Sequence, residues 1–198
     1  MKKGRLIIIS GPSGSGKSTI IRALMDQSPG AFFSVSATTR SIRPGEENGV
    51  DYLFVSKEEF QDMIRRDGLL EWAEYVDNYY GTPAEPVLRK LAEGCDVFLD
   101  IETRGARQVM AKYPEAVSIF VCAPSFAVIE ERLRARGTNT EADIRKRLAK
   151  GRSECENADM YTYLIVNDVK EKAVAEAAAI MVAEGCKDKT QLELLKGE

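Results

Sequence analysis

Apolar and polar positions alternate along this chain in two rhythms. Arg5-Leu6-Ile7-Ile8-Ile9-Ser10 is a short, continuous, β-branched run, the pattern of a strand covered on both faces. Glycines follow, and then Lys17–Gln27, where Ile20, Ile21, Leu24 and Met25 recur at helical spacing. Val97-Phe98-Leu99, Val117–Val121 and Tyr163–Val166 repeat the buried-strand pattern. Each precedes a segment with helical features: Arg104–Tyr113, Phe126–Arg136 and Val169–Glu184. This alternation predicts an α/β fold, a parallel sheet flanked by helices on both faces.

Residues 51–94 break that rhythm. Ser56-Lys57-Glu58-Glu59 reads as a capping box, and its helix presents Phe60, Met63 and Ile64 before Gly68 ends it. Half-buried strand patterns, Asp51–Val55 and Leu69–Val76, lie on either side. Thr82-Pro83 predicts an N-cap and first helical residue for a helix running to Gly94. Strands that close on each other so soon predict an antiparallel insertion between βα units of the main sheet.

Composition narrows the function classes. At 198 residues and 44% hydrophobic, the chain is long and apolar enough for one folding unit with a sizeable core. Its net charge of −3 argues against a nucleic-acid or membrane-surface binder. The longest apolar run, Leu6–Ile9, is far short of the about 20 residues that span a bilayer. Met1-Lys2-Lys3-Gly4 is too short for a signal peptide, so the chain is expected to be soluble and cytoplasmic. There is no histidine, and the four cysteines form no C-x-x-C pair. Zinc sites built on Cys/His pairs and Ser-His-Asp or Cys-His machinery are therefore not expected. Nothing in the pattern specifies an oligomeric state.

Charge is unevenly spread. Residues 132–152 hold eight basic side chains (Arg132, Arg134, Arg136, Arg145, Lys146, Arg147, Lys150 and Arg152) against Glu141 and Asp143. That is +6 within a chain of −3, leaving −9 for the remainder. Such a run is either a solvated basic face or a clamp for polyphosphate.

Gly11-Pro12-Ser13-Gly14-Ser15-Gly16-Lys17-Ser18 fits G-x-x-x-x-G-K-[ST] between a buried strand and a helix. Glycines let successive backbone N–H groups turn inward on an anion, and the helix N-terminus adds its positive end. In this pattern Lys17 reaches the β- and γ-phosphates of a nucleoside triphosphate and the Ser18 hydroxyl ligates Mg²⁺. The loop alone does not name the acceptor, since hydrolases, motors and small-molecule kinases share it.

Further motifs do so by resemblance. Ser36-Ala37-Thr38-Thr39-Arg40-Ser41-Ile42-Arg43-Pro44-Gly45-Glu46, Gly49-Val50-Asp51-Tyr52, Leu70-Glu71-Trp72-Ala73 and Asn78-Tyr79-Tyr80-Gly81-Thr82-Pro83 follow one another. In this order and spacing they resemble the guanylate kinase family, from about Leu6 to Asp168. The resemblance implies a P-loop NTPase-type core (1–35, 95–131 and 155–186), a GMP-binding insertion (36–94), a small helical lid (132–154) and a polar tail (187–198). It implies transfer of phosphoryl from ATP to GMP or dGMP with Mg²⁺. ATP and GMP would be the partners, with no nucleic acid and no membrane.

Under that resemblance Gly11 to Ser18, with Thr19, would hold ATP, and Asn167 would lie near its adenine. Arg40, Arg43, Tyr52 and Tyr80 would hold the phosphate of GMP, as forked guanidinium groups and phenols suit a dianion. Ser36 and Glu71, with Thr82 alongside, would read guanine. Guanine's N1–H and N2–H are adjacent donors that one carboxylate accepts, whereas adenine would set an acceptor against Glu71. Arg132, Arg136 and Arg147 would clamp the donor phosphates from the lid, whose helix Thr140-Glu141-Ala142-Asp143 starts by a capping-box variant. Asp100 would orient the acceptor or the Mg²⁺ water shell.

The chain departs from the family pattern at Asp77, where glycine is usual, and at Glu102 and Arg104, where aspartate and glutamine are. An aspartate tolerates a left-handed turn at position 77. An arginine at 104 bears on phosphate affinity or closed geometry. Two other readings are a non-catalytic interaction module of the same family and a P-loop kinase for another phosphorylated acceptor. The intact Lys17 and Ser18 weigh against the first, and the Ser36/Glu71 pair against the second.

Overall fold

The computed structural model describes residues 3–75, 77–135, 137, 139–188 and 192. At its centre β1 (Leu6–Ser10) pairs in parallel with β7 (Val97–Asp100) on one side and β8 (Val117–Cys122) on the other. The two-residue β2 (Phe32–Phe33) extends the sheet beyond β7, and β9 (Tyr163–Val166) extends it beyond β8, all in parallel. Every residue of β1 is buried, because its two faces feed two cores. Ile7 and Ile9 pack with Ile20, Ile21 and Leu24 of α1 (Lys17–Gln27) and with Ala173, Ala177 and Met181 of α7 (Lys170–Gly185). Leu6 and Ile8 point the other way, as strand period two requires. They join Val87 of α3 (Ala84–Ala92) and Ala106 and Val109 of α4 (Thr103–Lys112).

A second sheet has the order β4 (Leu53–Phe54), β3 (Ala37–Thr38), β6 (Asn78–Pro83), β5 (Leu69–Tyr75). The β3/β6 and β5/β6 pairings are antiparallel, but the two strands that the sequence pattern predicts to close on each other, at 51–55 and 69–76, become β4 and β5 on opposite edges and do not pair. The β3/β4 pairing is parallel. The intervening 39–52 loop is long enough to carry the chain back to the same starting edge, which a tight hairpin cannot do. The capping box of α2 (Lys57–Arg65) forms at Ser56 and Glu59, and Phe60 anchors the helix in a small core with Ala37 and Leu69. Its stop differs from expectation by one position, the left-handed residue being Asp67 (φ 51°), just before Gly68. Asp77 turns the β5–β6 hairpin at φ 60°, so the departure from glycine keeps the left-handed turn.

The start of α3 corrects the sequence expectation. Pro83, not Thr82, caps the helix, and Thr82 is the penultimate residue of β6. The Thr82 hydroxyl is drawn instead to a tertiary partner, Glu71. In the arginine-rich region, α5 (Phe126–Ala135) and α6 (Glu141–Cys155) form a helix pair, with a capping box at Thr140 and Asp143 as predicted. Among the described residues no helix is long and apolar enough to cross a membrane.

Candidate active site

The turn between β1 and α1 is built by close backbone approach. A Cβ on Gly11 would overlap the Val121 carbonyl oxygen, and one on Gly16, at φ 93°, would overlap Asn167 Nδ2. Only glycine fits either position. Pro12, Gly14 and Ser15 are buried beneath the turn, and Ser18 and Thr19 are exposed on the first turn of α1. Lys17 Nζ folds back to donate to the Gly11 carbonyl at 2.7 Å. Asn167 is 6% exposed and donates through Nδ2 to the Ser15 carbonyl at 2.7 Å. It is thus a strut beneath the phosphate loop, a place its spacing in the sequence does not reveal.

Helices α5 and α6 each send an arginine to this turn. Arg132 Nη2 donates to the Asn167 carbonyl at 3.0 Å, and Arg147 Nη1 donates to Ser13 Oγ at 2.8 Å. Arg136 lies outside the described residues. Three of the remaining cations have partners of their own, while Lys146 lines the cleft described below. Arg134 pairs with Glu130 and Glu141, Arg152 lies 4.3 Å over the Phe126 ring, and Lys150 pairs with Glu102. The +6 of the sequence is therefore not one uniform face.

A cleft of about 660 Å³ runs from the phosphate loop to the second sheet. Gly11, Ser13, Lys17 and Arg147 line one end, and Ser36, Arg40, Arg43, Tyr52 and Tyr80 line the other, with Asp100 and Glu102 between. The Arg40 fork donates to both oxygens of Glu46 at 2.8 and 2.9 Å. Glu46 also accepts the Arg43 backbone N–H at 2.8 Å, which closes the loop around it. The Arg40 guanidinium lies 5.3 Å from the Tyr52 ring centre, and the Tyr52 and Tyr80 rings meet edge-on at 6.1 Å. Burial pushes the Tyr52 phenol up from its ordinary pKa, so it remains a neutral donor at pH 7. Desolvation also raises Asp100, with the Lys17 ammonium opposing and Glu102 adding to it.

Glu71 and Thr82 stand apart from that lining, buried between β5, β6 and α4. Thr82 Oγ1 donates to Glu71 Oε1 at 2.7 Å. Glu71 is 6% exposed, and desolvation raises its pKa to about 7, against the Thr82 hydrogen bond and helped by Glu102. Glu102 stands at the N-cap position of α4 and lines both the cleft and an adjoining recess of about 420 Å³, which Arg104 and Arg107 also line. Sequence reasoning missed Glu46 as the partner of Arg40, although it sits three residues past Arg43. It also missed Gln108, whose amide grips the backbone N–H and C=O of Trp72 at 3.3 and 2.9 Å. No local pattern marks that contact.

A guanylate kinase family model matches residues 3–184. Guanylate kinase of Carboxydothermus hydrogenoformans is 49% identical over 189 residues, covering 96% of this chain and 93% of that one. Guanylate kinase of Rubrobacter xylanophilus is 51% identical over 181 residues, covering 91% and 95%. The crystal structure of guanylate kinase from Anaplasma phagocytophilum superposes with a TM-score of 0.78 at 31% identity, covering 100% of this chain and 96% of that one. On a family model spanning most of its length and relatives about half identical to it, this chain belongs to the guanylate kinase family.

Proposed function

We propose that this chain transfers the γ-phosphoryl group of ATP to GMP, giving ADP and GDP, and accepts dGMP as well. The observation that carries this reading is a single cleft with Lys17 and the phosphate loop at one end and Arg40, Arg43, Tyr52 and Tyr80 at the other. Two anion-binding sets that face one space suit a donor and an acceptor phosphate brought together in line. A loose phosphoryl-transfer transition state needs positioning and charge more than proton transfer, which suits a chain without histidine.

In this reading Lys17 leaves the Gly11 carbonyl for the β- and γ-phosphates. Arg132, Arg136 and Arg147 neutralise the transferring group as the lid, residues 132–154, closes on the core and the insertion, residues 36–94. Arg40, Arg43, Tyr52 and Tyr80 orient the acceptor phosphate. The Ser36 hydroxyl donates to guanine O6, and Glu71, steadied by Thr82, accepts from N1–H and N2–H. None of these contacts involves the 2′-hydroxyl, hence dGMP. Asn167 acts on ATP through the loop it supports.

The residues present fit Mg²⁺. The Ser18 hydroxyl and the Asp100 carboxylate are hard oxygen donors, and no group of three or more His, Cys, Asp or Glu able to hold a metal occurs among the described residues. That sparse set suits an ion held mostly by phosphate oxygens and water. Bound there, Mg²⁺ supplies neutralisation of phosphate charge. A cytoplasmic setting, where both nucleotides are drawn on, goes with this reading.

Lys17→Ala tests the donor half directly. Turnover with ATP and GMP is expected to fall by about 10² or more, while GMP binding by calorimetry stays within about twofold of the parent. Undiminished turnover would remove the phosphate loop from the reaction.

A further inference from the structure

Gly105 lies in the first turn of α4, where its backbone is ordinary right-handed helix. The conformational freedom of glycine therefore does not explain its presence, and alanine would be the better helix former. Space explains it. A Cβ at this position would overlap Glu71 Oε2, and would stand 2.8 Å from Cδ and 3.2 Å from Cγ of the same side chain. The three nearest atoms all belong to Glu71. One turn further along α4, the Gln108 amide clasps the backbone N–H and C=O of Trp72, the residue next to Glu71. Helix α4 thus grips β5 at position 72 and leaves a notch at position 105 that the Glu71 carboxylate fills. Thr82 Oγ1 at 2.7 Å closes the other side.

We propose that Gly105 is a positioning residue for purine selectivity, its missing side chain fixing where the Glu71 carboxylate presents its oxygens. The inference rests on the reading of Glu71 as the acceptor for guanine N1–H and N2–H. Because a carboxylate end is movable, an added methyl displaces Glu71 and its Thr82 hydrogen bond and spares the surrounding backbone. The consequence falls on base discrimination, not on the phosphate loop.

Selectivity is read as the ratio of kcat/KM for GMP to that for inosine monophosphate, which lacks the 2-amino group. Gly105→Ala is expected to lower this ratio by about tenfold or more, the scale of losing a hydrogen bond to a charged group. KM for ATP should stay within about twofold. Glu71→Asp draws the carboxylate back by one methylene, so Gly105→Ala/Glu71→Asp should recover part of the selectivity that Gly105→Ala loses. A ratio unchanged in Gly105→Ala, equal losses with ATP and GMP, or no recovery in the double variant would each overturn the proposal. Glu71→Gln separates the two readings. If it leaves the ratio intact, Glu71 does not read guanine and both fall. If it collapses the ratio while Gly105→Ala does not, only the notch is wrong.

Discussion

A carboxylate enclosed by a threonine hydroxyl and a helix backbone titrates differently from one in water, and Glu71 carries that difference into stability and, in its proposed role as the guanine acceptor, into binding. Its pKa of about 7 lies above the ordinary 4.5, because burial penalises the charged form. The folded state therefore holds this proton more tightly than the unfolded chain. Its stabilising contribution is complete below about pH 4.5 and is lost as pH rises to about 7, a change of about 3 kcal/mol. Glu71→Gln should flatten that part of the profile and leave the free protein more stable than the parent at pH 8, measured by urea unfolding. GMP affinity should run the opposite way. Accepting two N–H donors requires the ionised form, so KM for GMP should rise as pH falls below about 7, while KM for ATP does not. A flat GMP profile would mean that Glu71 is already ionised or does not touch the base.

At the scale of elements, the phosphate loop is held from below as well as shaped by its own glycines. Asn167, at the end of β9, supplies that support through the Ser15 carbonyl. Asn167→Ala removes the shorter of the two hydrogen bonds to the Ser15 carbonyl and leaves only the 3.4 Å contact from Arg132 Nη1, a cost of about 0.5–1.5 kcal/mol. The expected result is a lower melting temperature and a KM for ATP raised severalfold, with KM for GMP little changed. Equal changes in both constants would show that the strut serves the whole core and not the loop.

The same elements show what a sequence makes legible. The strand–loop–helix around Lys17 and the capping boxes at Ser56 and Thr140 appear in the structure as read, because spacing within a few residues specifies them. The two-residue strands β2 and β3 are too short to leave a periodic signature. Local spacing predicts Thr82 as the cap of α3, whereas its hydroxyl donates across the sheet to Glu71. Gly105 and Gln108 act across about 35 residues of chain, on Glu71 and Trp72, with nothing local to announce it. Arg40, Arg43, Tyr52 and Tyr80, proposed to hold the acceptor phosphate, are singled out only by family resemblance. Their convergence on one cleft is a property of the fold.

For the whole molecule, two sheets meet so that the parallel one presents the phosphate loop and the mixed one presents the arginine–tyrosine cluster. Helix α6 lines the cleft between them and is tied to the parallel-sheet side, touching Ser13 through Arg147 and Glu102 through Lys150. The most direct test of the account is ADP release from Mg-ATP with GMP, dGMP, AMP, CMP, UMP or no acceptor. ADP release confined to GMP and dGMP is the predicted result. Comparable release with AMP, or no release with any acceptor despite tight GMP binding, would contradict it.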